Sequence, residues 1–387
     1  MHEFSLFAGD GVNRLLGTLG LGAYRPGFIV RRVLVAWSIT WLPLAILAAI
    51  SGVAVGSTLR ETFLVDFAAY GQFWIGIPVL LAAEPHIDSR TRHAIDQLIR
   101  SGLLDERAVA GFLRSADGIA KASRRLLPDL ILLGLAYLST WLWLGEELST
   151  PIASWHALLH GAHRVLTPAG WWVGLVSVPL WNFVLFRWVW KVVLWFWVLW
   201  RVSRSNLRLV PTHPDLAGGI GFLGDIQAVF GFGVFAVGSA VASTIGYKIV
   251  VEHARIETFA FAGPALSFIV IAPLTFVAPL LFFTSKLYLA REAGLIHYGL
   301  AACKHGRHFQ SSWINPSAYA DEQFVDNKDL QALGSIAIAF DLVHRMRIIP
   351  VQMRTLLRLF AAAAGPMLPL VGRFFPPVKA FLESLHL

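Results

Sequence analysis

Two cations, Arg187 and Lys191, stand one helical turn apart inside a tryptophan-rich apolar run. An ionisable group in hydrocarbon costs roughly a few kcal/mol or more, so such residues should face protein or water and have a partner. Asp66 is the one acidic residue expected well inside a membrane span. Counted from the inner ends of their spans at 1.5 Å per residue, Arg187 and Asp66 fall at depths of roughly 21 and 26 Å, a gap two long side chains can bridge. Asn182 adds a polar group to the same segment. Two readings follow: an Asp66–Arg187 pair that locks two helices while Lys191 snorkels inward, or a cationic lining that draws anions through an oligomeric pore. Trp181, Trp188 and Trp190 either stack on Arg187 or face lipid.

Three further groups have spacing that bears on chemistry. Gly231, Gly238, Ala242 and Gly246 form a small-residue stripe with Ser239 and Ser243 beside it, which suits close helix approach. In the next apolar run Pro273 and Pro279 remove the hydrogen bonds that would reach the carbonyls of Ile269 and Thr275; a pathway lining and a simple kinked helix are equally good readings. His213, Asp215, Gly218, Gly219 and Gly221 form a turn that reads as a structural hinge, with a gating, ligand or metal role as alternatives. His156, His160 and His163, spaced four and three apart, would share one face of a helix and there bind zinc or copper. No other cofactor is expected. No span contains histidine for a bis-histidine haem, and H-E-x-x-H and G-x-S-x-G are absent, so an enzyme is not expected.

The elements that must position these residues are membrane spans. The chain has 387 residues, is 56% hydrophobic and 14% charged, and has a mean hydropathy of +0.62, whereas soluble domains are roughly a quarter charged. The net charge of +8 belongs to residues flanking apolar runs, which points to topology and away from nucleic acid. Cys303 is the single cysteine, so no intrachain disulfide is expected, nor is a signal peptide. Six spans are predicted at about 33–55, 63–83, 126–144, 171–200, 228–250 and 263–285. Of the 32 Lys and Arg, 26 then fall on the side of the N-terminus and 4 in the opposite loops, which predicts both termini inside. The fold class is thus all-α and polytopic.

Residues 1–32 read as an interfacial segment, 84–125 as a cytoplasmic helical hairpin broken at Ser101-Gly102, and 201–227 as the cytoplasmic glycine-rich loop. Residues 286–387 read as a cytoplasmic helical region whose apolar stretch, 356–371, suits a re-entrant or interfacial helix better than a seventh span. No internal repeat supports an inverted-repeat transporter.

The run Pro211-Thr-His-Pro-Asp-Leu-Ala-Gly-Gly-Ile-Gly-Phe-Leu-Gly224, with Asp329-Leu-Gln-Ala-Leu-Gly, His344-Arg-Met-Arg-Ile-Ile-Pro350 and Gly365-Pro-Met-Leu-Pro-Leu370, resembles motifs of a group of uncharacterised bacterial inner-membrane proteins. The resemblance spans about residue 200 onward and implies that the 211–224 loop and the C-terminal region form one unit; it implies no activity. The residues together lead to the expectation of a homo-oligomeric channel or channel-like transporter of the inner membrane that favours anions. A scaffold or sensor acting through the cytoplasmic helices is the alternative, and a lipid-acting enzyme using His213 and Asp215 the third reading.

Overall fold

The computed structural model describes residues 11, 17, 26–123, 126–149, 152–160, 163–251, 259–311 and 327–372. Six helices are long and apolar enough to cross a membrane, so the chain is an all-α, multi-pass membrane protein. They are α1 (Gly27–Ile50), α2 (Phe67–Arg100), α4 (Leu127–Ser149), α5 (Pro168–Arg204), α6 (Gly221–Val251) and α7 (Gly263–Phe309). Between them lie α3 (Glu106–Ser123) and a two-stranded antiparallel hairpin of β1 (Ala157–His160) and β2 (His163–Leu166). After α7 come α8 (Asn327–His344), α9 (Met353–Ala364) and α10 (Leu368–Gly372).

Three helices are much longer than the hydrophobic pattern suggests. At 34, 37 and 47 residues, α2, α5 and α7 measure about 51, 55 and 70 Å against about 30 Å of hydrocarbon. In α2 and α7 the surplus over the expected spans lies on the basic, inner side, whereas α5 passes its expected 171–200 by three residues at the outer end and four at the inner. The expected cytoplasmic hairpin is therefore the continuation of α2 followed by α3, with Gly102 at φ +70° making the turn. That turn is stitched to the exit of α5: Leu104 bridges Leu207, and the Arg208 amide donates to the Leu103 carbonyl at 2.8 Å. The first helix begins by Gly27, so Arg31 and Arg32 sit in its opening turns instead of ahead of it. The interfacial placement expected for residues 1–32 otherwise lies largely outside the described residues.

The core is built where α2, α5 and α6 approach closely. A Cβ on Gly71 of α2 would fall 1.9 Å from Ser243 Oγ of α6, and one on Gly233 of α6 would meet the Trp188 ring at 1.8 Å. Only glycine allows these contacts, so the buried tryptophans of α5 fill glycine notches: Trp188 at Gly233 and Trp181 at Gly76. Trp190 is exposed. Arg187 lies 5.9 Å from the Phe183 ring.

The C-terminal apolar stretch enters the membrane. It forms α9, a tight turn over Gly365–Met367, and α10. Along α6, Gly231 faces Ala362, Gly238 faces Pro366 and Gly246 faces Leu370. Fifteen residues of α6 correspond to about 22 Å of depth, so the stretch runs along α6 and does not lie flat at the interface. The small-residue stripe thus receives this broken helix. Ser239 and Ser243 bond back to the carbonyls of Phe235 and Ala240. Pro273 and Pro279 are buried, while Thr275 is exposed and bonds back to the Ile271 carbonyl. The five residues expected to line a pathway therefore do not converge on one polar channel.

Candidate functional site: an inner charge cluster and an outer vestibule

The structure sorts the ionisable residues into two places. The first gathers Arg32 of α1, Glu84 of α2, Asp129 of α4, and Arg187 and Lys191 of α5. None is more than 9% exposed. Arg187 Nη2 lies 3.7 Å from Glu84 Oε1, and its Nε 3.6 Å from Asp129 Oδ1. Arg32 Nη1 is 3.6 Å from Glu84 Oε2, and Lys191 hydrogen-bonds Glu84 Oε1.

This arrangement corrects two expectations. The partner of Arg187 is not Asp66 but Glu84 and Asp129. Nor is Arg187 at mid-bilayer, because it pairs with Asp129 in the opening turn of α4 and shares Glu84 with Arg32 in the opening turns of α1, both of which start at the inner face. Arg187 is 19 residues from the outer start of α5, or about 28 Å, most of the hydrocarbon thickness. The cluster is also shut: the void bounded by Leu80, Glu84, Arg187 and Lys191 is only about 20 Å³, room for about one water. A dense five-member network of this kind locks helices together and offers no route to an ion.

The second place is a cavity of about 670 Å³ at the opposite end of the helices. Asp66 lies here as the N-cap of α2, accepting from the Ala69 amide at 3.2 Å and from Trp155 Nε1 at 3.0 Å. Trp155 lies just ahead of β1, its amide donating to the Arg60 carbonyl at 3.1 Å and its carbonyl accepting from Thr167 Oγ1 at 2.9 Å, and its ring is packed edge-on against Phe63 and stacked at 3.8 Å on His156. His156 Nδ1 lies 3.9 Å from Glu147 Oε1. Glu147 in turn accepts from Ser154 Oγ at 3.1 Å and Arg164 Nη2 at 3.3 Å. Burial pushes the His156 imidazole below its ordinary 6.5 and outweighs the nearby carboxylates of Asp66 and Glu147, so the ring is neutral at pH 7.

Two loosened helical turns shape this cavity. Tyr70–Gly76 of α2 and Val173–Ser177 of α5 are π-wound, a geometry that recurs at functional sites because the extra residue re-aims side chains. Gln72 and Phe73 from the first, and Val173 from the second, form part of the wall. Asn182, which donates to Ser139 Oγ and Thr140 Oγ1 at 3.0 and 3.3 Å, contributes to the floor. A second cavity of about 380 Å³ adjoins the first, sharing Gln72, Trp181, Thr244 and Lys248. Its remaining walls, Leu185, Val237, Ala240, Val241, Ile245 and Pro264, are apolar and lie between α5, α6 and the start of α7.

The expected metal site loses its premise. The segment is a β-hairpin in which His160 is the register partner of His163 and His156 precedes the first strand, so spacing on a helical face does not apply. Among the described residues no group of three or more His, Cys, Asp or Glu converges as a metal site.

The glycine-rich loop is a joint. The Asp215 carboxylate accepts from the amides of Ala217, Gly219 and Gly221 at 2.8, 3.1 and 2.8 Å, and His213 Nδ1 lies 2.8 Å from its Oδ1. Burial works upward on this carboxyl, but the three backbone amides and His213 hold it below the usual carboxylate range. Leu216, Gly218 and Gly219 take positive φ of 54°, 63° and 96°. Arg347 then ties the C-terminal region to the loop: its amide donates to Leu216 O at 2.7 Å, its Nη2 to Asp215 O at 2.7 Å and its Nη1 to Val351 O at 2.9 Å. With its lone pairs committed to backbone, Asp215 is poorly placed to act on a substrate. No family model, curated protein or solved structure matches the chain. Fold and site therefore define it as a multi-pass helical membrane protein with an outer vestibule.

Proposed function

We propose that the protein binds an amphiphilic molecule drawn from the outer leaflet, holding its polar part in the vestibule and its apolar part in the adjoining groove, as a membrane carrier or receptor. One observation carries this reading: a cavity lined by charged and polar side chains among apolar ones shares a wall at Gln72, Trp181, Thr244 and Lys248 with a smaller cavity whose other lining residues are all apolar. Ligand sites that combine an apolar wall with a few placed polar groups suit molecules with both characters. The vestibule offers cations (Arg60, Lys248) together with carboxylates (Asp66, Glu147), which suits a polar or zwitterionic head group better than a single anion. The shut inner cluster weighs against an open anion pore. Transport would require Glu84, Arg187 and Lys191 to part.

A photoactivatable phospholipid, with its reactive group in the upper acyl chain, tests this in nanodiscs. Crosslinks should map to residues 237–245 of α6 and to Leu185, and Thr244→Trp should reduce them at least tenfold. Crosslinks spread evenly over the lipid-facing residues of α4, such as Leu130, Leu138 and Leu142, would sink the proposal.

A further inference from the structure

The inner part of α7 carries a feature that the vestibule does not use. Lys286 Nζ hydrogen-bonds the Ser205 carbonyl, and Ser205 lies just beyond the last residue of the roughly 55 Å helix α5. Residues from about 287 onward are therefore clear of hydrocarbon. There α7 packs against α8 on one side: Gly294 sits at Val343, Gly299 at Phe340, and Arg291 Nη2 donates to the His344 carbonyl at 2.9 Å. The other side of the helix presents Leu289, Ala293, Ile296, Leu300 and Cys303, all exposed. Leu289, Ile296 and Leu300 leave 66%, 60% and 67% of their surfaces open.

The intervals along this stripe are four, three, four and three. That is the alternation of positions d and a in a seven-residue repeat, and it continues upward to Phe282 through Lys286. A stripe with that period is a coiled-coil seam, whereas a helix face covered by a globular neighbour is wider. The positions opposite it, Leu287 and Gly294, are the buried ones.

We infer that this stripe is the contact between two copies of the chain, arranged as a parallel, in-register pair of α7 helices beneath the membrane. The bilayer supports this choice of partner. Every copy crosses it in the same sense and holds residue 286 at the same height, so two neighbours present matching stripes in parallel without any search for register. Flanking charge agrees: Glu292 on one edge of the seam stands opposite His297 on the other edge of the partner helix. Two heptads are too few to hold an isolated coiled coil in water, where helices shorter than about 12–15 residues are marginal. Confinement to a membrane raises the effective concentration enough to offset that. The pair is isologous, so it closes at two copies.

Cys303, exposed and at position d, makes the test direct. In membranes treated with copper phenanthroline, the wild-type chain should form a disulfide-linked dimer, and Cys303→Ser should abolish it. Single cysteines in the Cys303→Ser background should crosslink at positions 289, 296 and 300 and fail at 291 and 295. Leu300→Glu, with Cys303 retained, should lower the yield at least tenfold while leaving the helical circular dichroism and detergent elution volume per chain of a folded protein. Equal yields at all five positions would indicate random collision and overturn the inference. So would absence of dimer from the wild type, or a Leu300→Glu chain that crosslinks as well as the parent.

Discussion

The inner cluster and the outer vestibule both bury carboxylates and bring cations beside them, yet one is closed and the other hollow. The difference lies in what satisfies the carboxylates. At the inner end Glu84 and Asp129 are neutralised by long cationic side chains that also fill the space between α1, α2, α4 and α5. At the outer end Asp66 is satisfied by a helix N-terminus and an indole N–H, groups that approach from one side and leave the other side free. Charge buried in a membrane helix thus marks a lock as readily as a path. The space left beside it decides which.

The largest effect should come from the lock. Glu84→Gln removes a carboxylate that contacts Arg32, Arg187 and Lys191, and taking one partner from a buried ion pair costs about 3–5 kcal/mol. Thermal unfolding in detergent should show a severe loss for this variant. At the outer end, Trp155→Phe keeps the ring packing and the backbone donors but deletes the indole donor to Asp66, for about 1–3 kcal/mol. If the two variants proved equally damaging, the distinction between lock and hollow would fail. Thr244→Trp should sharpen it from the other side: it fills shared cavity space, so stability should change by less than about 0.5 kcal/mol while ligand crosslinking is lost.

The smallest effect is on pH. The folded His156 pKa is depressed below 6.5 by burial, so the folded state takes up its proton later than the unfolded chain. Stability from this group is full above 6.5 and declines as pH falls from there through the folded value. Between pH 7 and 8 the vestibule should bind its ligand with constant affinity. A melting profile that fell between pH 8 and 7 and was flat below would contradict the assignment. In the loop, Asp215 is depressed in the same direction from 3.8, so the joint with Arg347 should hold until pH falls below that ordinary carboxylate value and then loosen.

Six spans are legible in the sequence because a window of apolar residues is nearly all that crossing a membrane requires. The continuations of α2 and α7 are not, since their polar turns look like loops to a hydropathy window and their support comes from neighbours. The charge partners were legible only in part. Arg187 and Lys191 stand out, but Glu84 sits where the second apolar run ends and Asp129 where the third begins, so both resemble flanks. Knowing that α5 starts at Pro168 would have placed Arg187 level with them. For Asp66 a signal was available: Asp before Phe-Ala-Ala fits an N-cap whose oxygen meets the third following amide. The histidine loop holds Gly161 between short apolar runs, a hairpin signal that four-and-three spacing obscured. The vestibule itself was hidden. Its walls come from α2, α4, α5, α6 and the segment leading into β1, and neither its volume nor the junction with the apolar groove has any local signature. The implied unity of the 211–224 loop and the C-terminal region does have a physical basis in Arg347.

The broken helix α9–α10 has a consequence for assembly. The glycine groove of α6 that it fills is synthesised well before residues 353–372, and at a translation rate of about 5–20 residues per second the interval is on the order of ten seconds. During that time Gly231, Gly238 and Gly246 must face lipid, a neighbouring chain or an insertion factor. Arg347 is synthesised before that helix, and its bonds to the carbonyls of Asp215 and Leu216 involve a loop already complete by then. In order of synthesis the loop is thus the earlier half of a joint whose later half, Arg347, leads directly into α9.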